Sequence, residues 1–104
     1  MMEKTYDELM GIVSNELDRN GFKYQVLRLG WRRGNVYVFV NRSLRFGIKY
    51  ETVHIHAVAY PPTLVGGTEI VYSTIKSTQS DRKILSVIND VISKIRDYEK
   101  EEKK

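Results

Sequence analysis

The sequence predicts an α+β domain: an N-terminal helix, a three- to four-stranded antiparallel sheet and a long C-terminal helix, with both helices on one face of the sheet. Two periodicities predict this order. Near each end of the chain, apolar residues recur with the period of an amphipathic helix, and between the ends they alternate with polar residues as in strands. Two helices cover only one face of such a sheet, so the other face needs a separate explanation.

Length and composition limit the protein to one domain. The 104 residues allow a single hydrophobic core, and we assign residues 1–98 to one α+β domain and residues 99–104 to a charged tail. The absence of cysteine excludes disulfides, cysteine-ligated metals and thiol nucleophiles. We find no signal-peptide pattern and no apolar run near the roughly 20 residues that span a bilayer, so we expect a cytoplasmic protein with no membrane partner.

The first helix is predicted over residues 6–20. Thr5 and Glu8 have the spacing of a capping box, in which two side chains satisfy free backbone amides at the helix start. Gly21 ends the helix, because glycine tolerates the left-handed conformation found there. The apolar stripe of this helix consists of Leu9, Ile12, Val13 and Leu17.

Alternation with a period of two predicts the first strands. One strand starts at Phe22 and is followed by a turn over residues 30–35, and a second covers residues 36–41. A third extends over residues 45–60, where the apolar residues change from even to odd positions near Glu51. Such a change exchanges the two faces of a strand, so it predicts a bulge or a break.

The C-terminal part adds a fourth strand and the second helix. Two prolines end the third strand, and β-branched residues over positions 68–75 predict the fourth. Ser80 or Asp81 can cap the last helix. Its core stripe consists of Ile84, Ile88, Val91, Ile95 and Tyr98.

The charge of the chain is concentrated in one segment. Residues 21–50 contain seven cations and no carboxylate, although the whole chain has a net charge of only +4. The same segment holds seven of the eleven aromatic residues. Phosphates attract cations and unstacked bases stack on aromatic rings, so this combination is typical of nucleic-acid binding.

We therefore predict a nucleic-acid-binding protein without catalysis and without a cofactor. The valines of the second strand are expected to face the helices, which places Tyr37 and Phe39 on the opposite face. Trp31 and its two neighbouring arginines are expected at the tip of the turn between the first two strands. The candidate binding residues are Arg28, Trp31, Arg32, Arg33, Tyr37, Phe39, Arg42, Arg45 and Lys49.

The order of the elements resembles that of a double-stranded RNA-binding domain. The shared features are the order helix, three strands, helix and the basic pair Arg82 and Lys83 at the start of the last helix. The chain departs from the pattern of that family in three features: it has a fourth strand, its first helix passes directly into the first strand, and it lacks the lysine-rich motif at the helix entry. The resemblance therefore concerns topology alone.

Other interpretations of the basic, aromatic segment remain open, and the first is purely structural. Strands are rich in aromatic residues in any case, and cations on edge strands prevent aggregation. An anionic partner other than nucleic acid would also suit the basic segment. The second alternative, from a different class of function, is a protein-interaction or structural module that associates through its uncovered sheet face or its C-terminal helix, and a homodimer is expected under either hypothesis.

His54 and His56 are the best catalytic candidates. Both project from the same side of a strand, where they could share a metal or act as an acid and base on a phosphodiester. A metal site needs a third ligand, and the nearby Glu51 has the opposite parity. We therefore interpret them as ordinary histidines of a sheet and predict neither a metal nor a catalytic residue.

Overall fold

The computed structural model describes residues 4–43, 51–60 and 66–102. These residues form two helices and five strands. In chain order the elements are α1 (Tyr6–Arg19), β1 (Lys23–Gln25), β2 (Gly30–Arg33), β3 (Val36–Ser43), β4 (Thr52–Ala59), β5 (Thr68–Lys76) and α2 (Asp81–Glu102).

The five strands form one antiparallel sheet in the order in which they occur in the chain. The predicted α+β class, the antiparallel sheet and the helix at each end are confirmed. The predicted number of three to four strands is wrong, because residues 30–35 contain β2 and not only a turn. Gly34, with φ +62°, and Asn35 are sufficient to connect β2 to β3, since Arg33 already pairs with Val36.

The start of α1 has the predicted capping box. The Thr5 hydroxyl accepts a hydrogen bond from the Glu8 backbone N–H at 3.2 Å, and the Glu8 carboxylate accepts one from the Thr5 N–H at 3.2 Å. The helix ends at Arg19, and Gly21 follows with φ +85°. This left-handed residue turns the chain directly into β1.

Both helices share one core with a single face of the sheet. In β4 every second side chain is buried, and these side chains lie opposite the core-facing side chains of β3 in the register, as Ala57 lies opposite Val38. The stripes of α1 and α2 belong to the same buried cluster. The largest fully buried side chains are Phe22, Leu9, Leu17, Ile55, Ile75, Ile84, Ile88, Ile92, Ile95, Val13, Val36 and Val38.

Helix α2 continues beyond the expected domain boundary at residue 98. Glu99, which was expected in a charged tail, accepts hydrogen bonds from Arg33 at 2.6 and 3.3 Å. Arg33 also donates to the backbone carbonyl of Asn20 at 2.6 Å. One guanidinium thus joins β2, the end of α1 and the last turns of α2, so Glu99 belongs to the folded domain.

The expected change of phase near Glu51 lies at the edge of residues 44–50, which are outside the described residues. From Thr52 onwards the odd positions of β4 face the core, as the sequence indicates. A register shift instead lies further along, where Ala57 pairs with Val71 but Val58 pairs with Glu69. This places an extra residue, Ile70, in β5. The five-stranded order also departs from that of a double-stranded RNA-binding domain.

Across the described ranges, neither helix is long and apolar enough to cross a membrane.

Gly30 and Gly11 give a matched pair of stability predictions. A Cβ on Gly30 would lie 2.7 Å from the Phe39 ring and 3.0 Å from the Val38 carbonyl oxygen, whereas a Cβ on Gly11 in α1 has no atom within 4 Å. Gly30→Ala should lower the free energy of unfolding by about 1–3 kcal/mol through overpacking. Gly11→Ala should raise it by about 0.5–1 kcal/mol, because alanine favours a helix.

Urea denaturation followed by circular dichroism measures both changes. Equal effects of the two substitutions would contradict the close contact between Phe39 and Gly30.

Candidate nucleic-acid interface

The sheet face opposite the helices, here called the open face, carries a row of rings. The strand register aligns five residues across the sheet: Gln25, Gly30, Phe39, His56 and Tyr72. We call Phe39, His56 and Tyr72 the ring row. Because neighbouring strands lie about 4.8 Å apart, these three side chains are adjacent on the surface.

Each member of the ring row has a defined contact. The half-buried Phe39 ring lies over Gly30, since any Cβ there would collide with it. The His56 and Tyr72 rings meet edge to face with centroids 4.4 Å apart. Tyr72 is 47% exposed, the largest exposure in the row.

The histidines of β4 have polar partners on β5. His54 Nδ1 shares a hydrogen bond with the Tyr72 hydroxyl, and His56 Nδ1 lies 3.3 Å from a Glu69 carboxylate oxygen. These contacts hold both imidazoles against the neighbouring strand. No group of three or more histidine, aspartate or glutamate side chains that could hold a metal occurs within residues 4–43, 51–60 and 66–102.

Tyr37 lies on the open face as predicted, but it is buried, with 8% exposure. Its ring is parallel to that of Phe39 at 5.9 Å and meets the Tyr60 ring edge to face at 5.4 Å. The Arg28 and Arg32 guanidiniums lie 5.3 and 5.9 Å from its centroid. The expectation of an exposed Tyr37 is therefore wrong, because four side chains cover this ring.

The same contacts position the cations at one corner of the open face. Arg32 is fixed further by a hydrogen bond of 2.7 Å from Nε to the Gly34 carbonyl, and Lys23 pairs with it in the register. We call Lys23, Arg28 and Arg32 the cationic corner. Within the part of the chain that the structure describes, none of the three forms an ion pair with a carboxylate.

Two of the predicted binding arginines are instead on the helix side of the sheet. Arg33 binds Glu99, as described above. Arg42 forms a bidentate ion pair with Glu51 and lies 4.8 Å from the centroid of the Tyr6 ring in α1. Both arginines lie at positions that alternate with open-face residues, so they point to the helix side. Carboxylates outside the basic segment neutralise them.

The ion pair between Arg42 and Glu51 shifts both titrations. The hydrogen bond from the Arg42 guanidinium lowers the pKa of the Glu51 carboxyl below its ordinary value. The same hydrogen bond raises the pKa of Arg42. Arg42 is thus held as a charged partner of Glu51 and is directed away from the ring row.

Trp31 was expected at the exposed tip of a turn, but the structure places it in a strand. It belongs to β2, is only 7% exposed and contacts the Tyr24 ring at 4.9 Å. Its parity in β2 points it into the core, so it offers no stacking surface to a ligand. The predicted binding residues Arg45 and Lys49 lie outside the described residues.

The turn between β1 and β2 is an exposed apolar feature that sequence reasoning missed. Leu27 is 99% exposed, and its neighbours Val26 and Leu29 are also largely exposed. Leu29 has a left-handed φ of +56°, which is uncommon for a residue other than glycine. The alternation in this segment indicated a longer strand, and the apolar residues concealed the turn.

His56 and Tyr72 were not among the predicted binding residues, although both lie beside Phe39. His56 was considered only for catalysis. Tyr72 was assigned to the fourth predicted strand without a role in binding. Their even positions in β4 and β5 place them on the open face, but their alignment with Phe39 depends on the register of three strands.

Comparison of this chain with protein-family models, with curated proteins and with solved structures found no match.

The pair of Arg42 and Glu51 gives a prediction of pH dependence. Because the folded-state pKa of Glu51 lies below its ordinary value of 4.5, its contribution to stability is present above that pH and is lost as the pH falls through the folded-state pKa. Glu51→Gln should therefore lower the free energy of unfolding near neutral pH, and the difference from the wild type should shrink in acid.

Urea denaturation at pH values on both sides of 4.5 tests this prediction. In an Arg42→Gln background, the change in the free energy of unfolding caused by Glu51→Gln should depend much less on pH. A difference that is equally large in acid and at neutral pH would show that the ion pair does not stabilise the fold.

Proposed function

We propose that this protein binds nucleic acid, without catalysis, through the cationic corner and the ring row of its open face. The observation that carries this proposal is that Arg28 and Arg32 lie on the Tyr37 ring with no carboxylate partner among the described residues. Cations that are held in place and not neutralised are suited to phosphate. The adjacent rings provide apolar surfaces for bases.

The Tyr37 ring gives the two arginines a fixed position. A guanidinium that lies against an aromatic ring keeps its planar N–H groups available for hydrogen bonds. Less side-chain entropy is lost on binding when the cation is already ordered. Burial of Tyr37 thus supports the proposal, even though it removes this ring as a stacking surface.

The charge on the open face is uneven, and this indicates how a polyanion would lie. Lys23 and Arg32 occupy one end of a row across the sheet, and Glu69 occupies the other end. A phosphate is attracted to the first end and repelled from the second. The phosphates would therefore lie over β1 and β2, while bases reach the ring row on β3 to β5.

A second candidate function is a protein-interaction module, and the exposed turn with Leu27 favours it. Three exposed aliphatic side chains in one turn form an apolar patch that suits a protein partner. Self-association along the outer edge of β5 is disfavoured by the extra residue Ile70, because a bulge twists an edge away from pairing. The homodimer stays a prediction, which sedimentation or light scattering would test.

The proposal predicts that removing Arg28 and Arg32 weakens nucleic-acid binding and its salt dependence. Each phosphate contact that is lost should reduce the slope of log affinity against log salt by about 0.7–0.9. The double variant Arg28→Ala/Arg32→Ala should thus lower the slope by about 1.5, measured by fluorescence anisotropy of labelled oligonucleotides at several salt concentrations.

The matched control is Arg82→Ala/Lys100→Ala, which removes the same charge from exposed positions of α2. This control should retain most of the affinity and the slope. Equal losses in both double variants would mean that net charge alone attracts the polymer. The interaction module would be favoured if the wild type bound no nucleic acid and the Arg28/Arg32 double variant still bound the same protein partner as the wild type. Arg33 is unsuitable for this test because it joins three elements of the fold.

A further inference from the structure

The width of the open face limits the form of nucleic acid that can contact it. Five strands about 4.8 Å apart span about 19 Å. The major groove of duplex DNA is about 12 Å wide and admits a helix or a two-stranded ribbon. The ring row lies on the central and outer strands of this broad surface, so it cannot reach base edges inside a groove.

The spacing of the rings also differs from that of stacked bases. The strands that carry the three rings lie about 4.8 Å apart, and the His56 and Tyr72 rings meet edge to face, whereas stacked nucleotides along a strand are parallel and about 3.4 Å apart. Bases that rest on successive rings must therefore separate from one another. Only bases that are not paired and stacked in a duplex can do this at low cost.

The rings of the ring row have fixed neighbours and keep part of their surface exposed, most of all Tyr72. The Phe39 ring lies against Gly30 in space that a side chain there would fill, and the half-exposed Tyr72 ring contacts His56 edge to face. An ordered aromatic surface loses little conformational entropy when a base stacks on it. The neighbouring His54 and His56 add hydrogen-bonding groups at the edge of the same surface.

From these observations we infer that the ligand of the open face is a single-stranded nucleic acid whose bases stack on Phe39, His56 and Tyr72. This inference rests on the proposed function and adds the class of polymer. The phosphates contact the cationic corner, and the bases extend towards β5. Base stacking on rings is largely independent of sequence, so the preference is for strandedness more than for particular bases.

The test compares one labelled oligonucleotide sequence as a single strand and as a duplex, in both RNA and DNA, by anisotropy. The wild type should bind a single strand at least about tenfold more tightly than the duplex, because only the single strand can stack on the rings. Tyr72→Ala should weaken single-strand binding by about 5- to 150-fold, the range for loss of one stacked base, and change duplex binding less than twofold.

Tyr24→Ala is the matched control. Tyr24 is 46% exposed, almost the same as Tyr72, but it lies on the helix side of the sheet against Trp31. Its substitution should leave both affinities unchanged. Tyr72→Phe, which keeps the ring and loses the hydroxyl bonded to His54, should retain single-strand binding. Circular dichroism checks that all variants are folded.

The outcomes separate this inference from the proposed function. Equal affinity for single strand and duplex, with binding that still depends on Arg28 and Arg32, would overturn single-strand recognition and leave nucleic-acid binding intact. No binding of any polymer at low salt would overturn both. If Tyr72→Phe and Tyr72→Ala lost the same amount of affinity for the single strand, stacking would be overturned, because the Tyr72 hydroxyl and not its ring would then bind the nucleic acid.

Discussion

Burial of one face of the sheet against α1 and α2 is the interaction on which the other features depend. It takes Val38 and Ala57 and every second residue around them into the core. Strict alternation in β3 and β4 then leaves Phe39, His54 and His56 on the opposite side, whatever their chemistry. The open face is therefore a consequence of how the core is built.

The same alternation divides the basic segment into two groups with different roles. Arg33 and Arg42 stabilise the fold, because their parity directs them to Glu99 and Glu51, which lie outside the basic segment. Arg28 and Arg32 lie on Tyr37 at the other face and have no such partner among the described residues. A charge count along the chain treats these four arginines as equivalent, whereas in the folded protein only the first pair is neutralised by carboxylates of the described residues.

Patterns within one element could be predicted from the sequence, and pairings between elements could not. The capping box of Thr5 and Glu8 and the alternation of Val36 and Val38 act over a few residues, and the structure has both. Trp31 was misplaced because a two-residue turn at Gly34 and Asn35 was mistaken for a longer one, which also hid β2. The bond from Arg33 to Glu99 and the alignment of Phe39, His56 and Tyr72 depend on register and packing across the sheet, which local periodicity does not encode.

The most direct test of nucleic-acid binding through the open face is nuclear magnetic resonance of the labelled protein during titration with a short single-stranded oligonucleotide. Chemical-shift changes should concentrate at the cationic corner and the ring row, with Arg32, Phe39 and Tyr72 among the most affected residues. The exposed side of α2 should stay unchanged. Changes confined to the helices, or a spectrum unaffected by the oligonucleotide at low salt, would contradict nucleic-acid binding through the open face.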